Sequence, residues 1–441
     1  MYIAVDDTDS MRGNCTTFLA TEIIRELYTD FDLIGNPRLV RLNPAVPWKT
    51  RGNGSLILKF GKGVGKKTRI GIVDGKDIFC FENGVDISYE KKDIIDRIKP
   101  LIEKFHESDA DPGLIVSDVR PSPEYYEHGL FTIMSVSDVV DELDRIGAET
   151  FTIGNGRGLI GSTCGLAWIP RDFTYELLTY RIPDKWGTPR HVDSKSIMMM
   201  DHQYPSTFNS WEDRTNKVAM VPATPCPVLY GLRGDLMDDL IPAFESIESE
   251  EIYRWVIFLT NQGTDDHIIR EYESLRPNAS YLVKGVVREC ARHIRGGHVF
   301  MDMDTEYGVI TCGAYEPSKE FRMVFDRLIP GDTIEVMGEY REDPATLNVE
   351  KLHVISLVPD LIKVSNPMCQ VCGKRMESVG KGQGYRCRKC HTRFDSNITT
   401  ERMRWIVPGW YEPPTAARRH LSKPLKRMGL EQPVEFVICR N

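Results

Sequence analysis

YLVKGVVREC (281–290), HVFMDMD (298–304) and YGVITCGAY (307–315) are three short runs in which apolar and polar residues largely alternate. Alternation with a period of two marks half-buried strands. A helical patch, SKEFRMVFDRLI (318–329), and the turn Pro330-Gly331-Asp332 follow, then two more strand patterns, TIEVMGEYRED (333–343) and LNVEKLHVISL (347–357). Five strands with one helix before the fourth is the order of an OB barrel, a common oligonucleotide-binding fold. Such barrels also hold sugars and proteins, so the fold alone names no ligand.

Downstream of this barrel, Cys369-x2-Cys372 and Cys387-x2-Cys390 form two knuckles separated by fourteen residues. Four thiolates at that spacing close around one tetrahedral Zn2+, expected to be structural because sulfur fills every ligand position. A lone CxxC would suit a redox pair; two at this separation favour zinc. Lys374, Arg375, Lys381, Arg386, Arg388, Lys389 and Arg393 surround the knuckles, with Tyr385 among them. That mixture suits phosphate contacts and base stacking. The final stretch carries Arg418, Arg419, His420, Lys423, Lys426 and Arg427. It reads as an ordered basic arm, because Trp405, Trp410 and Tyr411 are costly to expose. Arg418, Arg419, Lys423, Lys426 and Arg427 are the candidate RNA or DNA contacts.

Charge supports a nucleic-acid partner despite the total of −8. Residues 362–441 hold 16 Lys+Arg against 6 Asp+Glu, a local +10, which leaves −18 on residues 1–361. A basic contacting part joined to an acidic catalytic body produces this asymmetry. With 441 residues the chain exceeds what one core sustains, which points to about three domains. No apolar run is long enough to span a membrane, and MYIAVDDTDS lacks the form of a secretory signal. Seven of the eleven cysteines stand singly, so a reducing, cytoplasmic setting is expected.

Residues 1–262 alternate strand and helix patterns, implying α/β or ferredoxin-like layers and a multi-domain α+β chain. Tyr2–Val5, SLILKF (55–60), TFTI, PVLYGL and YRWVIFL read as strands, while Thr16–Tyr28, KKDIIDRIKPLIEKF and SVSDVVDELDRIG read as helices. After the first strand come Asp6, Asp7 and Asp9. Three carboxylates so close require a cation, and Mg2+ shared with nucleotide phosphates is the usual solution. Capping by Asp9 or Ser10 would account for only one of them. Thr16 and Thr17 open the next helix, where free N–H groups favour phosphate; an N-cap role for the threonine fits the spacing equally well.

Two glycine-rich stretches are weaker signals. GKGVGKKT (61–68) fails the P-loop pattern at Phe60 and Lys67, and is expected to be a basic turn between strands. Gly156-Arg157-Gly158-Leu159-Ile160-Gly161 matches GxGxxG, but the Gly- and Pro-broken segment after it is too short for a crossover helix. Arg157 among glycines still suits a phosphate or base. Residues 46–54 place Lys49, Arg51 and Asn53 in one loop, a second set of donors for phosphate. Polar clusters also stand at strand ends in PCPVLYGLRGD (225–235) and LTNQGTDDH (259–267).

AVDDTDS with GNCTTFLA, VPWKTRGNG, GNGRGLIGS, PCPVLYGLRG, TNQGTD, the barrel and the zinc knuckles stand in one order along the chain. The whole resembles the archaeal tRNA-isoleucine agmatinylcytidine synthetase (TiaS) family. The resemblance implies a kinase-like catalytic domain (1–125), a ferredoxin-like domain (126–268), an OB fold (269–360), a zinc ribbon (361–400) and a basic C-terminal arm (401–441). It also implies replacement of the 2-oxo group of a wobble cytidine by agmatine, with ATP consumed, on an isoleucine tRNA with a CAU anticodon. The family's acidic cluster falls on Asp6, Asp7 and Asp9, and its phosphorylatable threonine on Thr16, with Thr17 next. ATP, Mg2+ and Zn2+ are then the expected cofactors. Lys49, Arg51, Asn53, Gly156, Arg157 and Gly158 are the candidate cofactor contacts. Two rival classes are a nucleic-acid-binding protein without chemistry, disfavoured by the carboxylate cluster, and another phosphoryl transferase acting on RNA.

Overall fold

The computed structural model describes residues 1–49 and 52–429. The chain divides into two compact units. One comprises Met1–Leu282, Met337–Glu350 and the chain from Glu412 onward; the other comprises Val283–Val336 and Lys351–Tyr411.

An eleven-stranded sheet organises the first unit. Its strands are β1 (Tyr2–Asp6), β2 (Asp32–Ile34), β3 (Arg38–Arg41), β4 (Gly54–Val73), β5 (Lys76–Val85), β6 (Gly113–Ser117), β7 (Glu149–Thr152), β8 (Thr174–Arg181), β9 (Thr207–Phe208), β12 (Val228–Gly234) and β13 (Ile252–Thr260). Between β9 and β12, β10 (Trp211–Glu212) and β11 (Lys217–Val218) pair as a separate hairpin. The order is β7-β6-β1-β4-β3-β13-β8-β12-β9, with β2 and β5 paired to each other and to β4. Only β3–β13 and β2–β5 are parallel; the other pairs are antiparallel.

Period-two alternation sets the two faces of this sheet. Ile3, Val5, Leu56, Leu58, Leu114 and Val116 point into one core. The helices α1 (Thr16–Leu27) and α2 (Lys91–Phe105) cover that side with Phe18, Leu19, Ile23, Ile98 and Ile102. Ala4, Ile57 and Ile115 point the other way. There they meet α4 (Ser137–Arg145) and α5 (Gly158–Ala167), beside α3 (Glu124–Phe131). Further along, α6 (Ser194–Gln203) and α7 (Met237–Glu245) add Ile197, Met200, Leu240 and Ala243 to the first core.

Two sequence expectations are corrected here. GKGVGKKT lies inside the 20-residue β4, paired with β5, and is not a turn. The turn comes later, at Asp74-Gly75, where both residues adopt positive φ, as a tight hairpin of this kind requires. Glycines hid the strand because they interrupt the apolar pattern without preventing extended pairing. Likewise, the segment after Gly156 does form a helix, the ten-residue α5. Its glycines are the reason it fits: a Cβ on Gly158 would stand 2.2 Å from Gly113 N. Helix interiors disfavour glycine by about 1 kcal/mol, but close approach to β1 and β6 outweighs propensity here.

The OB expectation holds. After β14 (Ile268–Ile269), the strands β15 (Ala279–Val287), β17 (Val299–Thr305), β18 (Gly308–Ala314), β19 (Thr333–Arg341) and β20 (Thr346–Ser356) form a closed ring. The order is β15-β19-β20-β18-β17, and β17 pairs back to β15; the short β16 (Arg292–His293) extends from β17. A 3-10 turn and α8 (Arg322–Phe325) precede β19, as expected for the helix of this fold.

The knuckle sulfurs converge within 4.8 Å of one another, with Cys369–Cys390 at 3.2 Å and Cys372–Cys387 at 3.4 Å. Sulfurs about 2.3 Å from a tetrahedral Zn2+ are about 3.8 Å apart, so the set fits zinc closely. Cys387→Ser is expected to abolish stoichiometric zinc by elemental analysis and to unfold the ribbon, since Cys387 sits at the centre of its small core. The ribbon cations named above are exposed, whereas Tyr385 packs inside with the cysteines and is not a stacking platform. Trp405, expected to be sheltered, is 77% exposed.

Candidate active site

The site starts where β1 ends. Asp6 is the last residue of the strand and is buried; its Oδ1 accepts the Asp7 N–H at 2.7 Å. Asp7 turns the chain with φ 57°, a left-handed conformation that Asp and Asn tolerate better than most residues. Burial, then Asp7 and Asp9, push the Asp6 carboxyl up to about 8. Burial, then Asp111 and Asp9, push Asp7 up to about 6. A fourth carboxylate, Asp111, therefore belongs to the cluster. Sequence reading missed it because nothing distinguishes it in the run of Asp109, Asp111 and Pro112.

Asp6, Asp7 and Asp9 do not form a preassembled cage. Among the described residues the four cysteines are the one group whose ligand atoms converge on a metal point. Mg2+ does not require such a cage, since it binds through one or two carboxylates, waters and nucleotide phosphates. The raised carboxylates have a consequence for stability. At these carboxyls the folded state holds more protons than the unfolded one, from about pH 4 to pH 8 at Asp6 and from about pH 4 to pH 6 at Asp7, so their contribution to stability falls as pH rises through those windows. Thermal denaturation without added divalent cation is expected to show this slope, up to about 1.4 kcal/mol per pH unit for each such group. Asp6→Asn should flatten it; an unchanged slope would remove Asp6 as its source.

Opposite the cluster, α1 begins at Thr16, and Cys15 is its N-cap. Neither threonine caps the helix, so that alternative is not realised. The Thr8 hydroxyl donates to Thr16 Oγ1 at 3.0 Å, which leaves the Thr16 proton for another acceptor. Thr17 Oγ1 lies 2.9 Å from Cys15 Sγ. Both threonines are buried beneath a cavity of about 640 Å3, whose wall also includes Asp6, Asp7, Asp9, Lys49, Gly52, Asn53 and Arg157. That is the size of a site for a nucleotide-sized ligand.

The two loops read as phosphate donors do meet at this cavity. Arg157 lies over the Trp48 ring, 4.2 Å from its centroid. Lys49 donates to the Pro44 carbonyl, and Asn53 to the Asn43 carbonyl at 3.2 Å. Arg51 lies outside the described residues. Gly156 and Gly158 are not on the cavity wall. The Gly158 N–H is bound to the Asp111 carbonyl at 2.9 Å, so it cannot serve a phosphate. Gly161 matters more: a Cβ there would stand 1.7 Å from Asp6 Oδ2. The last glycine of the GxGxxG pattern therefore makes room for the buried carboxylate.

The cations of the C-terminal arm have partners within the fold. Arg427 is fully buried and pairs with Asp172 at 2.9 Å and Asp235 at 2.6 Å. Lys423 pairs with Asp172, Arg418 with Glu412, and Arg419 with Glu339 and Glu350. Lys426 donates to the Thr207 carbonyl at 2.6 Å. Four of the five cations counted as RNA contacts are paired with the chain's own acids, and Lys426 with a backbone carbonyl. Linear charge counting missed this because those acids lie up to 255 residues away.

The motifs left unassigned, PCPVLYGLRGD and LTNQGTDDH, hold the rest of the wall. Asn261 Oδ1 accepts the Arg41 N–H at 2.7 Å, and its amide donates to the Arg41 carbonyl at 2.8 Å. Gln262 donates to Glu176, which takes Arg233 Nε at 2.9 Å. The Gly263 N–H binds the His420 carbonyl and the Asp265 N–H that of Leu421, both at 2.8 Å. One hexapeptide thus positions two cavity residues and seats the arm.

A mixed α+β chain with a five-stranded barrel, a four-cysteine ribbon and a carboxylate-rimmed cavity has the parts of a nucleic-acid-modifying enzyme. Family models described as the TiaS TCKD domain, the TiaS FLD domain and the TiaS C-terminal zinc ribbon domain match residues 2–155, 156–267 and 366–406. The isoleucine-tRNA 2-agmatinylcytidine synthetase TiaS of Archaeoglobus fulgidus is 37% identical, covering 98% of both chains. That of Methanocaldococcus jannaschii is 36% identical, covering 98% of this chain and 99% of the relative. The crystal structure of a TiaS complex with an isoleucine tRNA and ATP aligns with TM-score 0.83 at 35% identity over 97% of each chain. That of a TiaS complex with the same tRNA, AMPCPP and agmatine aligns with TM-score 0.80 at 33% identity over 98% of each chain. The chain belongs to the TiaS family.

Proposed function

We propose that this chain is an ATP-dependent, C–N bond-forming ligase that replaces the 2-oxo group of the wobble cytidine of an isoleucine tRNA with agmatine, so that a CAU anticodon reads AUA. The observation that carries this reading is the cavity, where buried carboxylates and the paired threonines of α1 meet, in a chain similar to TiaS over nearly its whole length. Asp6, Asp7 and Asp9 would hold Mg2+, which supplies charge neutralisation for the triphosphate. The first segment is assigned the kinase-like role and the next the ferredoxin-like role; the sequence resemblance puts the division near 125/126, while the matched family domains meet at 155/156. The barrel (269–360), ribbon (361–400) and arm (401–441) complete the order. The described residues contain no helix long and apolar enough to cross a membrane.

The chemistry needs each part. The cytosine 2-oxygen is a poor leaving group, and phosphoryl transfer from ATP makes it expellable as phosphate. The agmatine amine then attacks C2, loses a proton to a base, and the C2–O bond breaks. Thr16, with Thr17 as runner-up, is the proposed phosphoryl acceptor of the protein itself. A base must leave its stack to reach a cavity of this kind.

The test is incorporation of labelled agmatine into an isoleucine tRNA with a CAU anticodon, with ATP consumption followed in parallel. Incorporation that requires ATP supports the reading. ATP turnover that proceeds equally without any amine would favour a different phosphoryl transferase, and no ATP turnover at all would favour a binding protein.

A further inference from the structure

The cavity has a second charged wall, which the chemistry above does not use. Arg41, at the end of β3, and Arg233, at the end of β12, both line it, as do Glu176 and His420. Arg41 donates from Nη1 to the Gly52 carbonyl at 2.7 Å, while its buried Nε has no partner. Arg233 donates from Nε to Glu176 and from Nη2 to His420 Nδ1 at 3.0 Å. No hydrogen bond from Arg41 Nη2 or Arg233 Nη1 is found among the described residues. A buried guanidinium nitrogen without a partner, Arg41 Nε, on a cavity wall that a second arginine shares is what an anion site looks like without its anion.

The arm supplies His420 to this wall. Because a guanidinium keeps its protons, His420 Nδ1 must accept and the ring is neutral. Glu176 is buried; burial pushes its carboxyl up, but Arg233 and Arg41 outweigh that and hold it below the ordinary range. Burial also pushes the Arg41 guanidinium down, and the neighbouring Glu176 offsets only part of the effect. The two guanidinium charges exceed the one Glu176 carboxylate, and Lys49, which lines the same cavity and acts on His420, adds to the positive side. Gly52 makes the space, since a Cβ there would stand 2.7 Å from His420 Cδ2 and 2.9 Å from Arg41 Nη1.

We propose that Arg41 and Arg233, with His420 as a positioning residue, bind one backbone phosphodiester of the RNA beside the nucleotide being modified. Direct guanidinium donors suffice for a singly charged phosphodiester, whereas a triphosphate requires a divalent cation as well. The carboxylate end, through its cation, is the complement of the latter. The inference rests on the proposed function for the identity of the RNA.

The test is a cycle between protein and substrate, using the full-length protein. One partner is native tRNA or tRNA with a single neutral methylphosphonate, 5′ or 3′ to the wobble cytidine. The other is wild type, Arg233→Gln, His420→Ala or His420→Asn, whose Oδ1 can replace the Nδ1 acceptor. For one of the two positions the methylphosphonate is expected to lower wild-type kcat/KM roughly 10- to 100-fold. Arg233→Gln should lower it similarly on native tRNA, and both changes together little more than either alone. KM for ATP should stay within about threefold, His420→Ala should show the same coupling, and His420→Asn should restore most activity. Additive losses, or a raised KM for ATP with the methylphosphonate penalty intact, would overturn the proposal. If Arg233→Gln proves unstable by thermal denaturation, the His420 pair carries the same cycle. Failure of wild type to transfer agmatine to native tRNA would refute the functional reading instead. The cycle is then scored by RNA-binding affinity, where additivity overturns the cradle.

Discussion

Asp7→Asn is expected to lower agmatine incorporation by roughly 10²- to 10³-fold or more while leaving the fold intact, because positioning of charge dominates phosphoryl transfer. The substitution is nearly isosteric, and Asn suits the φ of 57° at this position. It removes one charge from a group whose neighbours, Asp9 and Asp111, already disfavour ionisation of Asp7. Stability should therefore hold or rise slightly, which separates lost catalysis from lost folding. Binding of tRNA should also survive, since a single cavity carboxylate adds nothing to phosphate contacts elsewhere. Single-turnover agmatine transfer, melting temperature and tRNA affinity measured together decide the matter. Wild-type turnover in Asp7→Asn would remove the carboxylates from the metal site.

Arg427→Ala is expected to destabilise the first unit by about 3–5 kcal/mol, the usual cost of leaving buried charges without a partner. Asp172 and Asp235 would lose their shared guanidinium, and the Gly263 carbonyl its donor. The arm also carries His420, so activity should fall at temperatures where the rest of the unit remains folded. Denaturant titration gives the stability loss. Had Arg427 been an RNA contact, stability would be unchanged and the salt slope of tRNA binding would drop by about 1. Observing that pattern would restore the arm as an RNA-binding element.

The pH slope, the zinc loss in Cys387→Ser and the phosphodiester cycle test separate parts of the molecule. None depends on the outcome of the two experiments above.

The sequence by itself determined whatever is local. Strand alternation and the position of one helix specified the barrel, and the spacing of four cysteines specified the ribbon, because each pattern constrains neighbouring residues. The Asp6–Asp9 run and the Thr16-Thr17 pair were legible for the same reason: one strand and one helix bring them together. Tertiary structure alone decided which charges face solvent. Arg418, Arg419, Lys423, Lys426 and Arg427 read as a free cationic arm until Asp172, Asp235, Glu339 and Glu350 fold against Arg419, Lys423 and Arg427, Glu412 against Arg418 and the Thr207 carbonyl against Lys426. It also decided that Asp111 joins the acidic cluster, that Tyr385 is inside the ribbon, and that Arg41, Glu176, Arg233 and His420 share one wall. Those residues lie on different strands and on the arm, so their proximity depends on sheet order. No local pattern encodes sheet order, which is set by packing both faces of one long sheet at once.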